Sequence, residues 1–299
     1  MNRSSCRHTA ISGLVLAALL SFSSPATADE SAADAALSDS TKPAVETVFL
    51  PVGDLFKPLL ADLKEPRFYL SYRRYSYQTQ NINVAAGGYG EIFGLYRHID
   101  RQGGRAWQYD FGGGIHSQFN LDAHSHELVN TDYTIGFPFT YRRGADSFRI
   151  ALYHQSSHLG DEFLLQTKTN RIELSYEAIN FVASHEWQEW RAYGGGEYLV
   201  HKVPSNLRPL GLQAGVEYYG KNPLWGTGRP VAGLDLKSDQ EHDWALNTSA
   251  KAGLQFGSSD HNGRYIRVLL EGYRGFAPHG QFYINRIGFY GIGVVLGFD

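Results

Sequence analysis

The sequence predicts an all-β protein, a transmembrane antiparallel up-and-down β-barrel of about 12 strands. Three observations support this class. The chain begins with an export signal, and long segments with alternating apolar and polar residues follow from residue 67 onward. No later stretch approaches the roughly 20 apolar residues that a membrane helix needs. Tyr, Phe and Gly are abundant, with 19, 17 and 33 residues. Membrane barrels and soluble β-sandwiches share this composition, so strand length and strand faces are needed to distinguish the two folds.

The N-terminal residues predict a secretory signal peptide. Arg3 and Arg7 precede an apolar run at 11–20, and Ala26-Thr27-Ala28 supplies a cleavage site of small residues. We therefore assign 1–28 to a signal peptide cut after Ala28. The single cysteine, Cys6, lies in this segment, so the mature chain is expected to have no disulfide.

Composition divides the mature chain into three further parts. Residues 29–48 are small and polar, which predicts a disordered periplasmic leader. Residues 49–66 contain a short apolar segment, predicted to be a helix that acts as a plug or a lid at the periplasmic end. Residues 67–299 form the predicted barrel. The formal net charge of −3 argues against nucleic acid as a partner.

Strand length favours a membrane barrel over a soluble sandwich. Membrane-crossing strands need roughly 9–11 residues, whereas soluble strands usually run about 5–6. Leu210, Leu212, Ala214, Val216 and Tyr218 alternate with polar residues in one such segment. An even strand count places both termini in the periplasm. The predicted strands are 67–77, 89–99, 106–119, 127–142, 148–157, 170–183, 190–203, 209–219, 229–237, 243–257, 264–274 and 286–298.

Charged residues fall on the predicted inner face of most strands. Interleaved opposite signs predict a charge network that fills a narrow barrel rather than a selective pore. The assigned residues are Arg149, Arg171, Glu173, Glu177, Arg191, Glu197, Glu217, Asp235, Lys237, Lys251, Arg267 and Glu271.

Three polar residues are predicted on the lipid-facing surface. His154 and Ser156 continue an apolar stripe of the fifth strand by steps of two, and Asn170 reaches the same face at the top of the sixth. Polar groups facing hydrocarbon cost several kcal/mol unless they are paired or lie at the interface. A serine needs a base to become a nucleophile, and the base needs an orienting partner. Interfacial polar residues of an ordinary barrel are the alternative explanation. His158 is a rival base, and Ser157 should point inward.

The segment Tyr153-His154-Gln155-Ser156, with Asn170-Arg171 farther on, resembles the active-site pattern of outer-membrane phospholipase A, a twelve-stranded barrel. The resemblance implies Ser156 as nucleophile, His154 as base, Asn170 as orienting residue and a bound calcium ion. Ser156 is followed by Ser157-His158, whereas that family has Asn-Gly directly after its serine. Asp161 and Glu162 carry the right oxygen donors for calcium. Outer-membrane lipid A deacylases also present a His-x-Ser on a strand, so phospholipid and lipid A both stay open as substrates.

Over most of its length the chain resembles an uncharacterised bacterial family classed only as a domain of unknown function. The segments PVGDLFKPLLADLKEPRF (51–68) and HQSSHLGDEF (154–163) carry this resemblance. It implies an outer-membrane barrel inserted by the barrel-assembly machinery, and it names no activity. Two functions therefore remain: a lipid acyl hydrolase, which can dimerise through its outer face, and a non-catalytic structural or narrow transport barrel with a charge-filled interior.

Overall fold

The computed structural model describes residues 42–77, 80–258 and 263–297. The predicted signal peptide, most of the predicted leader and the last two residues of the chain lie outside these ranges. Thirteen strands are present in the described part: β1 Val45–Phe49, β2 Phe68–Tyr77, β3 Gln80–Asp100, β4 Arg105–Asn120, β5 Leu128–Arg143, β6 Asp146–Leu159, β7 Leu174–Trp187, β8 Trp190–Val203, β9 Leu210–Tyr219, β10 Arg229–Asp239, β11 Leu246–Gly257, β12 Tyr265–Phe276 and β13 Arg286–Gly297.

Strands β2 to β13 form a closed antiparallel barrel. Each pairs with its neighbour in sequence, and β13 pairs with β2 from Gly288↔Ser76 to Leu296↔Phe68. The twelve-stranded up-and-down fold is thus confirmed. We call the end with the tight turns 101–104, 144–145 and 188–189 the turn end, and the opposite end the loop end. At the loop end, the β6–β7 connection carries the helix α1, Asp161–Thr167. No helix of the described residues is long and apolar enough to cross a membrane.

The alternation along the strands separates the two surfaces of the wall. Leu212 of β9 and Tyr290 of β13 are 58% and 71% exposed, whereas Gln213 and Glu217 of β9 are buried. Successive side chains of a strand point to opposite faces, so the apolar set covers the outer surface and the polar set fills the interior. The predicted outer face of β9 is confirmed.

The N-terminal part of the described chain corrects the predicted leader. Val45–Phe49 forms β1 and pairs with β3 from Val45↔Asp100 to Phe49↔Tyr96, although residues 45–48 were assigned to the disordered leader. Strand β3 is much longer than β2, which covers only its residues from Gln80 to Gly88. Strand β1 supplies hydrogen-bond partners to the part of β3 that β2 does not reach.

We call residues 50–66 the plug. Leu50 and Val52 are exposed, whereas residues 55–66 lie inside the barrel. The plug forms bends and irregular segments instead of the predicted helix. Proline at 51, 58 and 66 removes backbone donors and interrupts helical hydrogen bonding. Barrel side chains replace those bonds: Ser249 Oγ donates to the carbonyl of Ala61 at 2.7 Å, and Arg191 Nη1 donates to that of Lys57 at 2.8 Å.

The plug brings both apolar and charged groups into the interior. Phe56 and Leu59 pack against Val182 and Tyr193 of the wall. Asp62 accepts hydrogen bonds from Lys237 Nζ at 2.8 and 2.9 Å. Further ion pairs join Arg149 to Glu65, Lys57 to Glu186 and Arg73 to Glu271. The predicted charge-filled interior is present, and the plug supplies part of its charge.

Three of the predicted interior residues lie elsewhere. Arg171 and Glu173 are exposed in the connection before β7. Glu177 belongs to β7 but points to the outer surface, because it lies directly opposite the outward-facing His154 of β6. Its carboxylate is satisfied there by two histidines, so burial in the interior is not required.

Candidate functional site

His154 and Ser156 lie on the outer surface of β6, in the half of the strand nearer the loop end. The preceding outward residues, Ile150 and Leu152, are 45% and 53% exposed. Side chains at positions i and i+2 of a strand share a face, which places His154 and Ser156 in line with this apolar stripe. Their predicted orientation is confirmed.

A carboxylate holds the imidazole of His154. Nδ1 of His154 lies 2.8 Å from Oε1 of Glu177, its direct cross-strand neighbour on β7. Because an ionised carboxylate can only accept hydrogen bonds, Nδ1 carries the hydrogen, and Nε2 of the neutral ring is left as an acceptor. The second oxygen, Oε2, accepts from Nδ1 of His201 at 2.7 Å. We call His154, Glu177 and His201 the histidine–glutamate row.

A strand irregularity brings His201 into this row. Glu177 pairs with His201, but the next residue, Ala178, pairs with Leu199, so Val200 has no partner of its own on β7. Such a bulge places two successive residues on one face. Val200 and His201 are both exposed, whereas strict alternation would have turned His201 inward.

Ser156 and Ser157 face opposite sides of the wall. Ser156 is partly exposed and lies opposite Tyr133 of β5 and Ser175 of β7. Its hydroxyl makes no hydrogen bond to any described residue, so it is available on the outer surface. Ser157 is buried, and its hydroxyl donates to Asn130 Oδ1 at 3.1 Å and to Asp132 inside the barrel. The inward prediction for Ser157 is confirmed.

Asn170 lies in the connection 168–173, before β7 begins at Leu174. Its side chain is exposed, and it has no hydrogen bond to His154 within the described part of the chain. The predicted outer face of this strand was also wrong, because Leu174 and Ala178 are buried and Ile179 and Phe181 are exposed. The plug explains this reversal: its apolar side chains give β7 an apolar environment on the inner surface too.

The predicted rival base, His158, lies beyond Ser156 near the end of β6. Arg171 Nη2 lies 3.2 Å from Nδ1 of His158, which follows Ser156 on the same face. His158 is therefore engaged with a guanidinium, unlike His154. Gln281, buried in the β12–β13 loop, fixes this region: its Nε2 donates to the carbonyls of Ser157 at 2.8 Å and Ile172 at 2.6 Å.

Asp161 and Glu162 are the predicted calcium ligands. Both are exposed in the first turn of α1, and Glu162 Oε1 already accepts hydrogen bonds from Ser125 and Gln166. The described residues contain no group of three or more His, Cys, Asp or Glu side chains that could hold a metal ion. Calcium takes 6–8 oxygen ligands, so an ion held by Asp161 and Glu162 would need further oxygen donors.

Sequence reasoning missed Glu177 and His201 as members of the outer-surface site. Glu177 was assigned to the interior because charges were expected to avoid the outer face. A signal was available in His154, since its imidazole needs a polar partner on that surface. The position of His201 depends on the bulge, which alternation cannot show.

Two solved structures support the barrel assignment. Outer-membrane phospholipase A from Escherichia coli matches with a TM-score of 0.53 and 14% identity, covering 78% of this chain and 90% of that chain. The Salmonella typhi phospholipase dimer with bound calcium matches with the same TM-score and identity, over 78% of this chain and 91% of that chain. At this identity the likeness establishes the fold alone.

A family model described as "Protein of unknown function (DUF1207)" matches residues 17–298. The chain therefore belongs to this family. No curated protein matches it in sequence.

Proposed function

We propose that this member of the DUF1207 family is an outer-membrane lipid acyl hydrolase whose nucleophile is Ser156 and whose base is His154. The observation that carries the proposal is the hydrogen bond from His154 Nδ1 to Glu177 on the outer surface. In an ordinary barrel this surface would carry apolar side chains. Here it holds an oriented imidazole two residues from an unengaged serine hydroxyl.

Location in the outer membrane follows from the same surface. An apolar belt surrounds the barrel, and aromatic residues collect near the turn end, where Trp107 stacks on Tyr96 at 5.3 Å and Trp190 contacts Tyr218 at 4.9 Å. Aromatic girdles flank the apolar band of outer-membrane barrels. With the tight turns in the periplasm, the loop end and the site face the outer leaflet.

The proposed reaction uses the three groups in sequence. Glu177 fixes the tautomer and orientation of His154 and stabilises the imidazolium that forms. Nε2 of His154 takes the Ser156 proton as Oγ attacks the ester carbonyl of a lipid. The proton then passes to the leaving alkoxide, and the acyl group remains on Ser156. Water, activated by the same imidazole, releases the fatty acid and restores the serine.

Glu177 takes the role that the family resemblance gave to Asn170. An orienting group must lie within hydrogen-bond distance of the base, and Glu177 does so at 2.8 Å. A carboxylate also stabilises the positive imidazolium better than a neutral amide. Ser156 does not yet contact His154, as is common in unliganded sites.

Phospholipid and lipid A are the substrate candidates, because both place ester bonds at the depth of Ser156. The Salmonella typhi neighbour is described as a dimer, and we include a homodimer through the outer surface in the proposal. Insertion by the barrel-assembly machinery is likewise part of it.

Alanine variants of the two adjacent serines test the proposal. The refolded barrel is assayed in mixed micelles for release of fatty acid from phosphatidylcholine and from lipid A. Ser156→Ala and His154→Ala are each expected to reduce the rate by several powers of ten. The matched control, Ser157→Ala, removes an inward hydroxyl and should keep most activity. Release of fatty acid by Ser156→Ala at the wild-type rate would refute the proposal.

A non-catalytic barrel is the second candidate, favoured by the plugged interior. The ion pairs Arg149–Glu65 and Lys237–Asp62 tie the plug to separate strands of the wall, β6 and β10, an arrangement suited to a structural role. The same serine variants separate the two functions, since a structural barrel would release no fatty acid in any form.

A further inference from the structure

The outer surface between β3 and β6 contains a groove that ends at His154. Its floor is formed by Gly113 of β4 and Ile135 of β5, and aromatic side chains border it. The groove is unusual because the outward face of a barrel wall normally carries a side chain at every second position.

The missing side chain at Gly113 creates the groove. Gly113 is the outward residue between Phe111 and Ile115 on β4, and its cross-strand neighbours are Glu91 and Ile135. Ile135 in turn lies directly opposite His154. The floor therefore runs across the strands from His154 over Ile135 and Gly113 to Glu91.

Aromatic walls make this floor a channel for an apolar chain. Tyr133 and Tyr89 border it toward the loop end and are 44% and 67% exposed. Phe111 and Phe93 border the other side. From His154 to Gly113 the floor spans two strand spacings, about 10 Å, and the carboxylate of Glu91 marks its far end.

We propose that this groove binds the acyl chain of the lipid ester that Ser156 attacks, and that it determines selectivity for chain length. This inference rests on the proposed hydrolase function. The groove is continuous with the site at both His154 and Tyr133, the latter being the cross-strand neighbour of Ser156. An ester carbonyl at Ser156 therefore leaves its acyl chain beside the opening, and the apolar walls exclude water along it.

Filling the groove tests the proposal. A Cβ at Gly113 would meet the Thr134 carbonyl at 3.0 Å and the Ile135 Cα at 3.9 Å, so Gly113→Leu needs only a small adjustment. Ile115→Trp fills the groove from its wall without changing a glycine. The matched control is Gly272→Leu, an outward glycine of β12 whose Cβ would meet only the Phe289 carbonyl, at 3.9 Å. Heat-modifiable migration verifies that each variant is folded.

The measured quantity is the ratio of hydrolysis rates for dipalmitoyl and dihexanoyl phosphatidylcholine in mixed micelles. Each methylene that loses apolar contact reduces the rate a few-fold, so Gly113→Leu and Ile115→Trp should lower this ratio about ten-fold or more. Gly272→Leu should leave it unchanged.

The possible outcomes test the acyl-chain assignment separately from the hydrolase function. If the wild type hydrolyses both lipids through Ser156 but the ratio is unchanged in both groove variants, the acyl-chain assignment is overturned and the hydrolase stands. An unchanged ratio together with loss of a cross-linked dimer would assign the groove to a second copy of the chain. If the wild type releases fatty acid from neither phosphatidylcholine nor lipid A, the proposed function fails and the groove assignment fails with it.

Discussion

Oε1 of Glu177 accepts a hydrogen bond from Nδ1 of His154 across neighbouring strands, on the surface of the barrel that faces away from its interior. The carboxylate is shared, since His201 donates to its other oxygen at 2.7 Å. A charged group on such a surface requires compensation, and each histidine supplies it. These two hydrogen bonds therefore stabilise the histidine–glutamate row before any substrate binds.

Glu177 rather than Asn170 should control the base. Glu177→Gln removes the negative charge that stabilises the imidazolium and allows the wrong tautomer, so we expect a loss of about 10³-fold or more in kcat. Asn170→Ala should change kcat less than three-fold, since Asn170 lies in the loop before β7. Fatty acid release from phosphatidylcholine measures both. The opposite order of effects would restore Asn170 as the orienting residue.

His201 should act as a positioning residue through Glu177. His201→Ala leaves one carboxylate oxygen without its partner but keeps the bond to His154, so the loss in kcat should be about ten-fold, far smaller than that of Glu177→Gln. His201→Gln can still donate a hydrogen bond and should recover much of the rate. A purely structural role would instead lower the folded yield of both variants equally, which heat-modifiable migration would show.

The plug should keep the barrel closed to ions. In planar bilayers we expect the wild type to show no steady porin-like conductance. The double variant Asp62→Asn, Glu65→Gln weakens the contacts of the plug with Lys237 and Arg149 and should produce intermittent openings. The single variant Asp146→Asn, which alters an exposed pair with His185, serves as a control. Large steady conductance in the wild type would mean that the plug does not seal the barrel.

Asp161 and Glu162 should be dispensable for hydrolysis. Two exposed carboxylates provide few of the 6–8 oxygen ligands that calcium takes, and Glu162 is already engaged by Ser125. The double variant Asp161→Asn, Glu162→Gln should therefore show the same rate as the wild type at every calcium concentration tested. A requirement for more calcium in this variant would identify these carboxylates as calcium ligands and contradict the prediction that they are dispensable.

The strands were predictable because the barrel obeys a simple rule over most of its wall. In β9, Leu212 lies outward, and Gln213 and Glu217 lie inward, as alternation requires. The rule failed in β7, where Ala178 and Val182 are buried on the inner face and Val182 packs against Phe56 and Leu59 of the plug. An apolar plug removes the contrast between the two faces, and no property of β7 alone reveals it.

The outward orientation of His154 and Ser156 was likewise predictable from spacing, since they stand two residues apart on one strand. The hydrogen-bond partner of His154 was not predictable in this way. Glu177 is 23 residues from His154 in sequence, and the pairing depends on the register between β6 and β7. The inclusion of His201 further depends on the bulge at Val200, which reverses the alternation within a single strand.

The plug has a consequence for the reaction that we propose outside the barrel. Strand β6 is supported from within by Arg149 on Glu65, and β7 by Val182 against Phe56. Contacts on the opposite face of the wall thereby restrain the two strands that carry His154 and Glu177. Catalytic groups that are preorganised in this way need little rearrangement to reach the transition state. Substitutions in the lumen, distant from any lipid, would then raise the reorganisation energy of hydrolysis at the surface.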